Sequence, residues 1–344
     1  MTDPQPRNIL VMILGQLGDV VLALPALSAI RKQFSHSKIS VLAAASTCEL
    51  LELSELADEI IPVDRRALRN GSIHGTIWQL FRLVRQVRRR RFDLVIDLHS
   101  LYETNILGFL SGAPQRLFAN RENRSIDILS NIRPRPPKED KSLHKSTYYL
   151  NVLEPLGIKE GGSFRLQPPN AELPNELSNA IDSAEAGAKV GVFIGAGHPG
   201  RKWPLERFAS LADRLIHRDE ARVFIILGPE EADQLDEVKK LFESSIVIVI
   251  GLSLRQLLSF VSKVDLFVGN DTGPSHLASI IGTPTIMIMR SDYDRRFTPL
   301  GDNTVYVASG PVSTITVDEA YVAARQVLSH GKTQKQEEPE KDHQ

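Results

Sequence analysis

Twice along the chain, apolar runs of strand length alternate with amphipathic stretches of helical length, and the second series starts afresh after a proline-rich break. In the first half the runs are Ile9–Leu14, Ile39–Ala43, Ile60–Val63 and Leu94–Leu98, with helical patterns over Val20–Phe34, Cys48–Leu56 and Ile77–Arg91. In the second half they are Val190–Ile194, Val223–Leu227, Ile246–Ile250, Leu266–Val268 and Thr285–Met289, with helices expected at Leu205–His217, Glu231–Glu243, Leu254–Val261 and Ser275–Ile281. Near-continuous apolar strands separated by helices belong to parallel sheets covered on both faces. The spacing therefore predicts an α/β chain of two open parallel-sheet domains, each covered by helices on both faces, with a cleft between the carboxyl ends of their strands.

The 344 residues suffice for two cores of ordinary size. The expected division is an N-terminal domain over 1–165, a linker over 166–188 containing Pro168, Pro169 and Pro174, and a C-terminal domain over 189–315. A helical pattern follows at 316–330. The stretch 331–344, GKTQKQEEPEKDHQ, has no apolar residue and reads as a disordered tail.

Cys48 is the single cysteine, which rules out an internal disulfide framework and fits a reducing compartment. The opening MTDPQPRN does not lead into a signal-type apolar region, and no run approaches membrane-spanning length, so a cytoplasmic protein is expected. The net charge of −1 conceals an asymmetry: residues 61–150 hold 17 Lys and Arg against 8 Asp and Glu. Its densest part is RLVRQVRRRRF, Arg82–Phe92. Any one of these arginines reads as part of a solvated helix face, but the regional excess points to an anionic partner. The run matches no nucleic-acid-binding module, and a phosphorylated or membrane-associated ligand suits it at least as well.

Ligands of open parallel sheets bind beyond the carboxyl ends of the strands, so the turns there carry most weight. In DLFVGNDTGPSHLASIIGTPTIMI, Asp265–Ile288, a strand gives way to a polar turn and a helix starting near Gly273. Free N–H groups beside Thr272 suit a diphosphate, and His276 sits in the first turn. Read locally, Asp271 and Thr272 are equally good helix caps and His276 an exposed helix residue. In VFIGAGHPGRKWPLERF a strand empties into a glycine-rich loop carrying Lys202. Arg201 and Trp203 break the pattern of a nucleotide-triphosphatase phosphate loop, leaving flexible backbone and a cation at a strand end. In LGPEEADQ either Glu230 or Glu231 offers a carboxylate to ribose hydroxyls, or merely partners a helix dipole. Phosphate-binding turn, cation and carboxylate together describe a nucleotide-diphosphate site in the second half.

Asp19, in GQLGDVVLALPAL, is the lone carboxylate where the first strand turns into the first helix. It is placed to take a proton from an acceptor hydroxyl, or to cap the helix, and the two roles are compatible. His99, at the end of Leu94–Leu98, reads as structural. The histidines show no metal-ligand spacing, so no metal or other cofactor is expected.

GDVVLALPAL, GAGHPGRKWPLERFASLADRL and NDTGPSHLASIIGTP, in this order and with RFDLVIDLHS and LHKSTYYLNVLEPLGI between them, resemble glycosyltransferase family 9, the ADP-heptose:lipopolysaccharide heptosyltransferases. The likeness runs from about Asn8 to Leu328. It implies a GT-B fold of two Rossmann-like, doubly wound parallel-sheet domains facing a cleft, with the last helix crossing back to the first domain, and an inverting, metal-independent transfer of heptose from ADP-heptose to a lipopolysaccharide core or lipid A acceptor. It implies that Asp19 is the catalytic base and that Lys202 meets the donor phosphates. Glu231 would hold the nucleoside, with Glu230 as the alternative register, and Asp271, Thr272, Gly273 and His276 would bind the donor. Arg65, Arg66 and Arg69 lie where the family carries basic residues for the anionic acceptor, and peripheral contact with the inner face of the membrane is implied with them; nucleic acid is not. After Thr285–Met289 the chain reads MRSDYDRRF, where the family commonly has a glycine-containing turn. Two other readings stay open: a GT-B transferase or epimerase using another nucleotide sugar, and a non-catalytic nucleotide-sugar-binding protein.

Overall fold

The computed structural model describes residues 5–64, 73–161, 164–183, 187–242, 245–291 and 295–337, without the side chains of 73–77, 127 and 330–337. The chain divides into two units, one comprising residues 1–164 with Arg295–Thr298, the other Arg165–Asp294 with Pro299–Gln344. Arg65, Arg66 and Arg69 lie outside the described residues.

The first unit is built around β1 (Asn8–Ile13), whose residues Ile9 to Ile13 are wholly inaccessible to solvent. A strand with no polar face must be covered on both sides, and the chain supplies the cover by helical crossovers between parallel strands. The elements run α1 (Leu17–Gln33), β2 (Lys38–Ala44), α2 (Cys48–Ser54), β3 (Glu59–Val63), α3 (Ile73–Arg89), β4 (Leu94–Asp97), α4 (Tyr102–Leu110), β5 (Gln115–Phe118) and α5 (Lys145–Asn151). The sheet is parallel throughout, in the order β3-β2-β1-β4-β5. Because the chain moves outward from β1 to β3 and then returns past it to β4, α1 and α2 cover one face while α3 and α4 cover the other. β5 escapes the apolar pattern because QRLF is a short edge strand whose first two residues are only half-buried.

The second unit repeats the plan with one strand more. Its elements are α6 (Asn175–Asp182), β6 (Lys189–Phe193), α7 (Leu205–Asp219), β7 (Arg222–Leu227), α8 (Leu235–Leu241), β8 (Val247–Ile250), α9 (Leu254–Val261), β9 (Leu266–Asn270), α10 (Gly273–Ile281), β10 (Thr285–Ile288), β11 (Thr304–Val307) and α11 (Val317–Glu337). The parallel order β8-β7-β6-β9-β10-β11 reverses direction between β6 and β9. Trp203 is fully buried, packs edge-on to Phe208 at 4.8 Å, and donates its indole N–H to Ile315 O at 2.9 Å. A buried ring of that size contributes roughly 3 kcal/mol or more when kept from water.

Two stretches differ from the sequence-based expectation. The 166–188 segment lies along the second unit: Leu166 is buried and donates its N–H to Ile280 O at 3.1 Å, while Ser259 Oγ and Gln256 Nε2 donate to Ala171 O and Glu172 O. Leu177 and Ile181 of α6 are buried as well, so the prolines mark an extended strap and not a free linker. The helix expected at 316–330 starts at Val317 and continues to Glu337, through part of the stretch read as a tail. It packs on α7 and on β9, β10 and β11 through Ala320, Tyr321, Ala323 and Ala324, and belongs to the second unit. The second-half segment grouped with the first unit is instead Arg295–Thr298, whose Thr298 O lies 2.8 Å from His144 Nε2.

Candidate functional site

In the second unit the direction of winding reverses between β6 and β9, which opens a crevice at their carboxyl ends. Two loops meet there, and Asn270 joins them. Its Oδ1 accepts from Trp203 N at 3.0 Å, and its Nδ2 donates to Gly195 O at 2.9 Å and Ile194 O at 3.2 Å. Its own carbonyl accepts from Ser275 Oγ at 2.6 Å. Every polar atom of this fully buried amide is used, and the glycine-rich loop is thereby fixed to the β9–α10 turn.

Beyond Asn270, Asp271 is buried with Arg201 Nη1 at 3.3 Å from its Oδ2 and His276 Nε2 at 3.6 Å from its Oδ1. His276 is itself buried on the first turn of α10, not exposed. Thr272 is the N-cap in extended conformation, and Pro274 fits the first helical turn because its missing N–H would have had no helical acceptor there. The N–H groups of Gly273 and Ser275 precede any helical carbonyl and remain available to an anion.

Lys202 reaches from the facing loop, its Nζ donating to Gln234 Oε1 at 2.7 Å. It lines a cavity of about 560 Å³ together with Pro199, Gly200, Arg290, Ser291 and Ser313. Arg290 was not a sequence candidate. It follows β10 in MRSDYDRRF, the loop that departs from the family's glycine-containing turn, and supplies the cavity with a second cation.

Glu230 and Glu231 have different surroundings. Glu230 is exposed, whereas Glu231 is buried beneath the turns that end β6 and β7. A Cβ at Gly195 would overlap the Glu231 carboxylate, and one at Gly228 would stand 2.7 Å from its Oε2, so a side chain at either position would displace the carboxylate from where it lies. Burial, with the charge of Glu230 beside it, raises the Glu231 carboxyl above its ordinary range, against an opposing pull from Lys202. The helix expected from Glu231 begins only at Leu235.

In the first unit the corresponding reversal lies between β1 and β4. α1 starts at Leu17, three residues earlier than the sequence pattern suggests, so Asp19 is the third helical residue and not the N-cap. Its Oδ2 accepts from Gln16 N at 2.9 Å, and a Cβ on Gly15 would overlap the Asp19 side chain. Asp19 is half-buried and retains its second carboxylate oxygen for other partners.

A polar group not foreseen from sequence sits at the same sheet edge. Asp97, at the end of β4, is fully buried and accepts from Ser100 N at 2.7 Å and Asn105 Nδ2 at 2.8 Å; burial pushes its carboxyl up to about 6. Arg121 donates to His99 O at 2.7 Å and lies 3.2 Å from Glu139, which also pairs with buried Lys145 at 3.0 Å. Lys145 stands over the rings of Tyr148 and Tyr149, and desolvation brings its ammonium down to about 8. α5 packs on α1, and after burial itself the Asp19 carboxylate is the next cause raising the Tyr149 phenol. Of the stretches quoted from the sequence, only RFDLVIDLHS and LHKSTYYLNVLEPLGI contribute to this group, and neither has a spacing that betrays it. Among the described residues no three His, Cys, Asp or Glu side chains converge as a metal site, and no helix is long and apolar enough to cross a membrane.

Known proteins resemble this chain over most of its length. A putative glycosyltransferase of Haemophilus influenzae is 24% identical over 322 residues, 89% of each chain. Lipopolysaccharide heptosyltransferase 3 of Escherichia coli is 22% identical over 301 residues, covering 85% of this chain and 86% of the relative. Among solved structures, a family 9 glycosyl transferase from Veillonella parvula superposes with a TM-score of 0.77 at 24% identity, covering 94% of this chain and 97% of that one. E. coli heptosyltransferase WaaC with ADP gives 0.73 at 17% identity, covering 94% and 99%. These likenesses establish the GT-B fold. The model of the family described as glycosyltransferase family 9 (heptosyltransferase) matches residues 80–321, well over half of the chain, and the protein belongs to that family.

Proposed function

We propose that the protein transfers a heptose from ADP-heptose, with inversion, to an anionic lipopolysaccharide-core acceptor. The observation that carries the reading is the second unit's crevice: Lys202 and Arg290 line one cavity, and Arg201, next to Lys202 in the chain, pairs with buried Asp271 in the turn that starts α10. A diphosphate requires cations and free N–H groups, and a sugar or ribose requires carboxylates to accept from its hydroxyls. Lys202, Arg290 and the Gly273 and Ser275 N–H groups answer the first need, while Glu231 and Asp271 answer the second. Thr272 and His276 are assigned to the donor with them, His276 Nε2 lying 3.6 Å from Asp271 Oδ1. The relatives named for heptose transfer to lipopolysaccharide, and the neighbour solved with ADP, support the choice of donor and acceptor.

The chemistry follows from charge. The acceptor oxygen attacks the anomeric carbon, its proton passes to the Asp19 carboxylate, and the bond from that carbon to the ADP oxygen breaks. Asp19 gains the proton while the departing diphosphate gains a negative charge, which Lys202 and the α10 start stabilise without a metal ion. The reaction requires the acceptor held by the first unit to meet the donor held by the second. Arg65, Arg66 and Arg69, with their local positive excess, are assigned to the acceptor. The test is incubation with ADP-, UDP- and GDP-sugars and truncated phosphorylated core acceptors, read by mass spectrometry, with and without EDTA. A heptosyl adduct from ADP-heptose alone, unaffected by EDTA, is the expected result. Turnover of a UDP-sugar in its place, or no turnover with any donor, overturns the reading.

A further inference from the structure

α5 carries two adjacent tyrosines, Tyr148 and Tyr149, and both are buried although neighbours on a helix point about 100° apart. The short helix is therefore enclosed on more than one side. Among the described residues neither phenol oxygen has a hydrogen-bond partner. A buried hydroxyl without a partner is unfavourable in the folded chain, and phenylalanine would fill the same space without that penalty. A tyrosine kept in such a place calls for a reason beyond packing.

The two hydroxyls have different surroundings. Burial raises both phenols far above their ordinary range, so each stays protonated and serves as a donor, not as a base. After burial, the Glu139 carboxylate acts most strongly on Tyr148, and the Asp19 carboxylate on Tyr149. The packing agrees, since α5 lies on α1, whose first turn holds Asp19. Lys145 stands one turn before Tyr149, its Nζ 4.9 Å from that ring's centre and 3.0 Å from Glu139 Oε1. A cation over the ring draws on its π electrons and makes the phenol O–H a stronger donor.

Asp19 has room for such a donor. Gln16 N holds its Oδ2 at 2.9 Å, and a carboxylate held through one oxygen can still pivot about that bond. A second donor, on the other oxygen, would fix its plane. We propose that Tyr149 is a positioning residue, whose hydroxyl donates to the Asp19 oxygen that Gln16 leaves open and so aims the carboxylate at the acceptor hydroxyl. The bond closes as the acceptor arrives, in keeping with catalytic hydrogen bonds that tighten only when substrate is in place. The inference rests on the reading of Asp19 as the proton acceptor and adds the residue that orients it.

The test compares the parent chain with Tyr149→Phe and Tyr148→Phe, using ADP-heptose and a truncated phosphorylated core acceptor. Removing the Tyr149 oxygen should lower kcat by about 10- to 100-fold, the range for one hydrogen bond to a charged group, with KM for both substrates within about twofold. Its urea midpoint should equal or exceed the parent's, because an unpartnered polar atom has gone. A tyrosine needed only for packing predicts the opposite split, with kcat untouched. Tyr148→Phe loses a hydroxyl just as buried but set towards Glu139, and should keep kcat within about twofold. Parental kcat in Tyr149→Phe, or an equal loss in Tyr148→Phe, overturns the inference. So does a lower urea midpoint together with weakened ADP binding, since the loss is then one of folding. A parent that transfers no sugar from any nucleotide donor overturns the assigned activity and this inference with it. An active parent matched by Tyr149→Phe overturns this inference alone.

Discussion

Asn270 clamps Trp203: a buried amide at the end of one strand accepts the backbone N–H of a residue on the facing loop, at 3.0 Å. With its Nδ2 on Gly195 O and Ile194 O, the same side chain fixes the loop that presents Lys202. Asn270→Ala leaves one donor and two acceptors of the buried main chain unpaired, each worth about 1–3 kcal/mol. A loss of about 2–5 kcal/mol in urea unfolding is expected, with ADP binding weakened at least about tenfold. A loss below about 1 kcal/mol would show that the loops hold together by other means.

Asp19→Asn separates capping from catalysis. The amide oxygen keeps the acceptor for Gln16 N, so α1 should start where it does now, while the proton acceptor is gone. Transfer should fall by about 10²–10⁴-fold, with ADP affinity within about twofold of the parent and little change in melting temperature. Residual activity above about a tenth would leave Asp19 only its capping role.

The Lys202 and Arg290 cations should be felt by the diphosphate and not by the base. Lys202→Ala and Arg290→Ala are each expected to weaken ADP about tenfold in calorimetry while adenosine binding is little changed. Arg290→Lys should restore part of the loss. Equal effects on adenosine and ADP would move Arg290 out of the phosphate site.

Asp97 gives a pH signature. Its carboxyl is raised from 3.8 to about 6 by burial. The folded state therefore holds the proton more tightly, and its contribution to stability is fully present below about pH 3.8 and lost as pH rises through about 6. The shift corresponds to at most about 3 kcal/mol. Other carboxyls, such as Glu139 and Glu59, are lowered and pull the opposite way, so the readout is the difference between the parent and Asp97→Asn across pH 4 to 7. That difference should slope in favour of the variant as pH rises, and a flat difference would place Asp97 at its ordinary value.

The alternation of apolar runs and amphipathic stretches was by itself enough to determine two parallel α/β units, because a strand buried on both faces has little choice of partner. It also placed Asp19, Lys202 and the Asp271–His276 turn at strand ends, where main-chain geometry exposes them. β5 and β11 were illegible, since QRLF and TVYV are edge strands too short and too exposed to show a period. That Glu231 is buried while Glu230 is exposed depended on two glycines, Gly195 and Gly228, brought over one carboxylate from different strands. Arg290 joined Lys202 only through the β10–β6 arrangement, and Arg121, Glu139 and Lys145 only through packing at the edge of the first sheet. Such groups are assembled from residues far apart in the chain, and no local spacing encodes them. The outward apolar face of α4 is the converse case: its sequence looks like a buried helix, and only the tertiary structure shows that one side of it is left bare.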